Sequence, residues 1–184
     1  MNTNTQYTAF TGFERTAGGT LENILPALWE KREEQSRTLV FENETGRQVD
    51  FDLSGTVQEV LERYLPPQQS KGPGRPRLGV LSREVSLLPR HWEWLERQPH
   101  KASGTLRRLV EAARKNQSEA EREREKIEAV DKFLWSIAGN LEGFEEAGRA
   151  LYARDWSAFD RFTASWPQDV RNHLNRMLAP VREG

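Results

Sequence analysis

A proline- and glycine-rich break near the middle of the chain limits what the rest of it can fold into. Residues 66–77 read PPQQSKGPGRPR. Each proline fixes φ and removes a backbone donor, and the glycines add conformational entropy, so no regular helix or strand runs through this stretch. We therefore interpret residues 66–79 as a linker between folded parts of the chain.

The residues before the linker alternate between strand and helix patterns. Strands are predicted at residues 6–13, 37–43 and 48–53, where threonine, valine and aromatic residues are frequent. A helix is predicted by apolar residues at helical spacing, namely Leu21, Ile24, Leu25 and Leu28. Pro26 lies inside this pattern, so the helix is either kinked there or begins there. Thr56 and Glu59 have the spacing of a capping box, which predicts the start of a second helix. Residues 1–65 are thus expected to form a small α+β domain.

The third predicted strand alternates apolar and acidic residues. Val49, Phe51 and Leu53 would face a core, whereas Asp50 and Asp52 would share the opposite face. Two carboxylates on one face can bind a hard cation, but a solvated strand face explains them equally well. No further ligand follows at a metal-binding spacing, and the sequence contains no recognisable nucleophile–base pair or phosphate-binding loop. We therefore expect neither a metal, nor a cofactor, nor enzyme activity.

The residues just after the linker predict an extended stretch and two short helices. Residues 80–88 have an extended character, and Pro89 stands where a helix can begin. The first helix is bounded by Pro99, and Ser103 or Thr105 is expected to cap the second. The second helix has an apolar stripe made of Leu106, Leu109, Val110 and Ala113.

This central region carries the basic charge of the protein. Between residues 71 and 115 there are eleven lysines and arginines against four glutamates, a net charge of +7. The formal net charge of the whole chain is −1, because the flanking regions carry an excess of acidic residues. Sign asymmetry of this kind is typical of a localised surface that binds a polyanion. DNA is therefore the partner that we expect first.

The end of the linker, GPGRPR, resembles an AT-hook. In that motif an extended Arg-Pro backbone lies in the narrow minor groove of A·T-rich DNA, where the negative potential attracts inserted arginines. The resemblance implies that Arg75 and Arg77 enter the groove and that Lys71 contacts phosphate. A proline-rich linker with incidental charge is the alternative.

The order of strand, helix, turn and helix resembles the ribbon-helix-helix repressors of the Arc and Met repressor class. In that fold two chains pair their strands into a ribbon, so the resemblance implies an obligate homodimer built from residues 80–116. It places Trp92 and Leu95 at core positions of the first helix. The implied phosphate and DNA contacts are Arg83, Lys101, Ser103, Thr105, Arg107 and Arg108. The strand itself offers few side chains that read base edges, which favours non-specific contact.

Residues 117–184 are predicted to form a bundle of helices. Asp155 is expected to cap one of them, and Ser165, followed by Pro167, another. Three tryptophans, Trp135, Trp156 and Trp166, raise the possibility of a pocket for a small-molecule effector. Aromatic residues at helical spacing belong more often to a core, so the sequence does not support an effector site.

Four sequence motifs along the chain are similar to those of an uncharacterised bacterial family. These motifs are GRQVDFDL at residues 46–53, GRPRLGVLSREVSLLPRHWEWL at 74–95, GFEEAGRAL at 143–151 and WPQDVR at 166–171. This resemblance implies no activity.

Location and function are predicted from the same features. The chain has no cysteine, no signal-peptide pattern at its beginning and no apolar run long enough to cross a bilayer, so a cytoplasmic location without membrane contact is expected. The leading hypothesis is a DNA-binding homodimer that acts as a transcriptional regulator or nucleoid-type factor. The alternative is a protein–protein adaptor whose central segment only dimerises.

Overall fold

A computed structural model of the protein describes residues 5–65 and 83–183. The described residues form two compact units. The first contains residues up to 65 together with those from 120 onward, and the second contains residues 83–119. The α+β class expected from the sequence is confirmed in this form: a three-stranded antiparallel sheet with helices, followed by a mostly helical C-terminal region.

The first unit is built around a small sheet. Its strands are β1 (Tyr7–Thr11), β2 (Glu14–Gly19) and β3 (Thr38–Glu42), in the order β2-β1-β3. The central strand β1 is paired along both edges, and its consecutive residues Ala9 and Phe10 are completely buried in two different core clusters, one on each face of the sheet. A 3₁₀-helix over Arg32–Arg37 leads into β3.

The prediction of a third strand at residues 48–53 is wrong. After an isolated bridge between Phe41 and Gln48, residues 49–53 join no sheet. The backbone N–H of Asp52 donates instead to the Tyr64 hydroxyl at 2.6 Å, so it is used outside the sheet ladder. The expected alternation nevertheless holds, since Phe51 and Leu53 are buried while the two aspartates are exposed.

One face of the sheet packs against two helices, α1 (Leu21–Glu30) and α2 (Val57–Tyr64), and against the chain around Phe51. Pro26 lies inside α1 and does not mark its start. The capping box of α2 is confirmed, because the Glu59 backbone donates to the Thr56 hydroxyl while the Thr56 backbone donates to the Glu59 carboxylate.

The opposite face packs against the C-terminal helices. The second unit contains α3 (Pro89–Glu96) and α4 (Lys101–Lys115). The C-terminal helices of the first unit are α5 (Glu119–Ile137), α6 (Phe144–Ala153), α7 (Trp156–Thr163) and α8 (Gln168–Arg182). Phe10 and Phe41 from the sheet share one core with Phe133 of α5, at ring-centroid distances of 5.5 and 4.9 Å. Regions far apart in sequence therefore form a common interior.

Two backbone contacts reinforce this shared interior. Gly46, at φ +65°, brings its backbone against the carbonyl of Ala129 in α5, where a side chain would overlap that oxygen. The Arg15 backbone N–H in β2 donates to the Asp169 carboxylate of α8 at 2.9 Å. The boundaries drawn at residues 65, 79 and 116 stay a prediction.

The helix caps agree only in part with the sequence. The Asp155 cap is confirmed, since its carboxylate accepts from the Ala158 backbone at 2.9 Å. Ser165 does not cap α8, which is preceded by Pro167 and has no side-chain cap. A proline fixed at φ −51° and ψ 138° directs the chain into the helix there instead.

Candidate nucleic-acid interface

The second unit is a helical hairpin made of α3 (Pro89–Glu96) and α4 (Lys101–Lys115). Pro89 occupies the first helical position, as the sequence predicted, and Leu88 before it is extended. The helices are joined by a tight turn in which the Lys101 backbone donates to the Gln98 carbonyl at 3.0 Å. The two helices pack on each other, and their buried residues are Leu95 and Thr105.

The start of α4 corrects the predicted cap. The helix begins at Lys101 after His100, and no side chain caps it. The turn closes directly into the helix, so Ser103 lies within the first turn and Thr105 lies beyond it. The prediction that one of these hydroxyls is the N-cap is therefore wrong.

The described site residues are not equally accessible. Arg83, Lys101, Ser103, Arg107 and Arg108 are exposed. Thr105 is fully buried and its hydroxyl has no hydrogen-bond partner, so it presents no surface to a ligand. The remaining three predicted contacts, Lys71, Arg75 and Arg77, lie outside the described residues.

The extended stretch that should form the ribbon is not a strand. Residues 83–88 have no regular secondary structure and pair with no strand of the described chain. A ribbon-helix-helix strand pairs only with a second chain, so this segment alone leaves the resemblance as a prediction.

Helix α4 separates basic and apolar residues onto opposite faces. We call one the basic face; its members are Lys101, Arg107, Arg108, Arg114 and Lys115. At 100° per residue they lie within about half of the helix circumference. Glu111 on the same side pairs with Arg114 at 3.3 Å, an exposed ion pair that contributes little to stability. The basic face is therefore open to solvent and to a polyanion.

The opposite face carries the predicted apolar stripe, and most of the stripe is exposed. We call it the apolar face; its members are Leu106, Leu109, Val110 and Ala113. Leu109 is 44% exposed and Val110 is 55% exposed, because α3 covers only the side of α4 near Thr105. These two side chains are therefore not buried in a core of the described chain.

More apolar side chains of the second unit are exposed. Of nine exposed large hydrophobic residues in the described chain, six lie between residues 83 and 116. Besides those on α4 they are Val85, Leu88, Trp92 and Trp94. Trp92 is thus only partly buried, whereas Leu95 occupies the expected core position. Trp94 and Val85 were not among the predicted contact residues. The signal that was available is the number of large apolar residues in a segment too short to bury them.

The charges of the described hairpin favour an acidic partner. Residues 83–116 contain eight basic and four acidic side chains, a net charge of +4. Lysine and arginine side chains on one helix face are the groups that contact phosphate.

The residues of the two other sites considered from the sequence, a metal site and an effector pocket, do not lie together in the described chain. Among the described residues, no group of three potential metal ligands lies together, and Asp52 pairs with Arg63 at 3.3 Å. Trp135 is 67% exposed, Trp166 is buried with its indole donating to the Glu142 carbonyl, and Trp156 lies under the Arg182 guanidinium. These tryptophans therefore lie in three different environments.

None of the described helices is long and apolar enough to cross a membrane.

Comparison with known proteins places the chain in a family. Residues 6–178 match the family model described as "uncharacterized protein conserved in bacteria (DUF2239)". The chain belongs to DUF2239. The match covers both units of this DUF2239 protein, so the hairpin lies within the family's own extent. No curated protein matches the chain, and no solved structure does.

Proposed function

We propose that this DUF2239 protein binds DNA as a homodimer formed by its helical hairpin. The observation that carries the proposal is the separation of the apolar and basic faces on α4, both of them exposed. An apolar face that the chain leaves open is suited to a second copy of the same hairpin, and pairing through it would turn both basic faces outward.

Burial of apolar surface would drive the pairing of two hairpins. Fully burying one leucine or valine side chain contributes roughly 1.5–3 kcal/mol, and Leu109 and Val110 are both half exposed. A hairpin shorter than about 40 residues seldom holds a core of its own without further support, and oligomerisation is one common source of it. In the finer, ribbon-helix-helix form of the proposal, residues 83–88 pair antiparallel with their counterparts in the second chain.

Binding to DNA would rest mainly on phosphate contacts. Arg83, Lys101, Arg107 and Arg108 are exposed. The extended segment before α3 offers few side chains that read base edges, so contact with the DNA backbone fits better than recognition of one operator. By the resemblance to an AT-hook, Arg75 and Arg77 would add a preference for A·T-rich minor grooves, with Lys71 on phosphate. A regulator or nucleoid-type factor needs no more than this, and we place it in the cytoplasm.

A mobility-shift assay on A·T-rich and G·C-rich duplexes tests the DNA part. Replacing both Arg107 and Arg108 with Gln should weaken binding to both duplexes, because the attraction of these arginines to phosphate does not depend on base sequence. The variant R75A/R77A should lose mainly the A·T preference. The matched control, R122Q/K132Q, removes two exposed positive charges from α5 and should bind like the wild type. Equal binding by all four proteins would contradict the proposal.

Sedimentation tests the pairing separately. Replacing Leu109 and Val110 with Asp should convert the dimer into a monomer, whereas replacing the exposed Trp135 in the first unit with Ser should leave the dimer intact. A wild-type monomer at micromolar concentration would refute the pairing.

A protein–protein adaptor is the second candidate, and the exposed Trp92 and Trp94 favour it. Aromatic residues are enriched at interfaces and supply much of the binding energy there. A dimer that ignores DNA at low salt and is intact in sedimentation would support the adaptor over the DNA-binding protein.

A further inference from the structure

A cleft of about 420 Å³ opens on the first unit, between the sheet, α1 and the chain around Phe51. Its volume falls within the range of roughly 300–1,000 Å³ that is usual for small-molecule sites. All of its lining residues belong to the first unit, so the cleft is separate from the hairpin.

The apolar part of the cleft comes from three directions. Leu28 of α1, Val40 of β3 and the pair Phe51 and Leu53 line it. Small side chains, including Ala27 of α1, leave room between them. An aliphatic or aromatic group of a ligand would exchange water for these side chains, which is favourable in proportion to the apolar area removed from water.

The sheet supplies a row of hydroxyls. Thr16, Thr11 and Thr38 come from the three strands and line the cleft together. The Thr11 hydroxyl lies 3.4 Å from that of Thr16 and 3.0 Å from that of Thr38. Thr16 and Ala17 both line the cleft although they are consecutive, because the register between β1 and β2 shifts at this point. A β-bulge of this kind redirects a side chain that regular alternation would turn away.

Two opposite charges complete the lining. Lys31 follows the last residue of α1, and Asp50 comes from the segment that crosses the cleft. Neither forms an ion pair with another described residue, although both line the same cleft. Asp52, two residues along, pairs instead with Arg63 and accepts from the Ser54 backbone, so Asp50 is the carboxylate left for a ligand.

We propose that this cleft binds a small zwitterion with an apolar body, of the class to which the hydrophobic amino acids belong. Lys31 binds the ligand's carboxylate, Asp50 binds its ammonium group, and the apolar body lies against Leu28, Val40 and Phe51. Charge complementarity carries this choice, because a ligand with both charges can form a charge-assisted hydrogen bond with each of Lys31 and Asp50, whereas a ligand with one charge can form only one of them. The proposal does not depend on DNA binding.

Calorimetric titration with L-phenylalanine and L-leucine tests the cleft. We expect saturable binding of at least one of them to the full-length protein. Phenethylamine and 3-phenylpropanoate, which each lack one of the two charges, should bind roughly tenfold more weakly than L-phenylalanine, as expected when one charge-assisted hydrogen bond is absent. No saturable binding of either amino acid, or equal binding of the single-charge analogues, would overturn the proposal.

Variants of the protein locate the binding. K31Q and D50N should each weaken binding roughly tenfold, whereas E22Q, which removes an exposed charge from α1, should leave it unchanged. Replacing Ala27 with Phe should fill the cleft and abolish binding, and a thermal melt at the wild-type temperature would establish that this variant is folded. Unchanged affinity in both K31Q and D50N would place the ligand elsewhere and contradict the assignment.

Discussion

His173 packs against Phe133 with their ring centroids 4.6 Å apart, and neither nitrogen of the imidazole has a hydrogen-bond partner. The ring of Phe10 is a second aromatic neighbour of the imidazole, at a centroid distance of 5.5 Å. A titratable group thus sits at the junction of the sheet, α5 and α8 without a polar neighbour that would stabilise its charged form. Burial, together with the positive charges of Arg176 and Arg15, lowers the pKa of His173 to about 4.

The buried histidine predicts acid-sensitive stability. The folded pKa lies below the unfolded value of 6.5, so the unfolded chain takes up the proton first as the pH falls. The protonation of His173 should therefore leave the free energy of unfolding unchanged above pH 6.5 and should lower it by about 3 kcal/mol between pH 6.5 and 4. Denaturant unfolding at a series of pH values measures this decrease.

Replacing His173 with Phe should remove that part of the acid sensitivity. The substitution keeps an aromatic ring among Phe10 and Phe133 and removes two unpaired nitrogens. His100 is exposed, so H100Q serves as the matched control and should keep the wild-type profile. The difference between wild type and variant cancels the titration of carboxylates. Parallel profiles for wild type and H173F would contradict this explanation.

Phe133 is predicted to hold the sheet and the C-terminal helices in one cooperative unit. Its ring touches Phe10, Phe41 and His173. Replacing it with Ala should cost about 3–5 kcal/mol of unfolding free energy, as for other buried phenylalanines. Hydrogen exchange should become faster in β1 and in α8 by the same factor.

The exposed Phe13 gives the control for this experiment, since F13A should cost less than about 1 kcal/mol. Faster exchange in α8 with unchanged protection in β1 would mean that the sheet unfolds independently of the helices.

Two glycines with similar backbone angles should respond differently to substitution. Gly46 and Gly12 have φ values of +65° and +61°. A Cβ at Gly46 would overlap the carbonyl oxygen of Ala129, whereas one at Gly12 would meet open space. G12A should therefore cost only the left-handed strain of about 1–2 kcal/mol. G46A should cost clearly more, because α5 must also move, and thermal melts of the two variants measure the difference. Equal destabilisation of the two variants would show that the close approach at Gly46 does not matter.

The sequence predicted local features of this fold well, because they depend on neighbouring residues. The start of α3 at Pro89 follows from the fixed φ of proline, and the Thr56 cap of α2 follows from side chains three residues apart. The alternation through Phe51 and Leu53 identified the buried side chains even though the backbone joins no sheet. Periodicity reports which side is buried and not which backbone groups pair.

Features that depend on residues distant in the sequence could not be predicted from local patterns. Nothing around Phe10 indicates that it packs on Phe133, more than a hundred positions away. The same limit applies to the candidate sites. The stripe containing Leu109 was identified as apolar, but whether another element covers it is a tertiary property. Asp50 was noted as a carboxylate, whereas no local pattern connects it with Lys31 across the cleft.

The salt dependence of DNA binding by the hairpin tests the central claim most directly. Fluorescence anisotropy on one labelled A·T-rich duplex should give a linear fall of the logarithm of the affinity with the logarithm of the salt concentration. Replacing Arg107 and Arg108 with Gln should reduce that slope by about 0.9 for each phosphate that the variant no longer neutralises, and the control R122Q/K132Q should keep the wild-type slope. Absence of binding by the wild type at low salt, or a slope unchanged in the Arg107 and Arg108 variant, would contradict the claim.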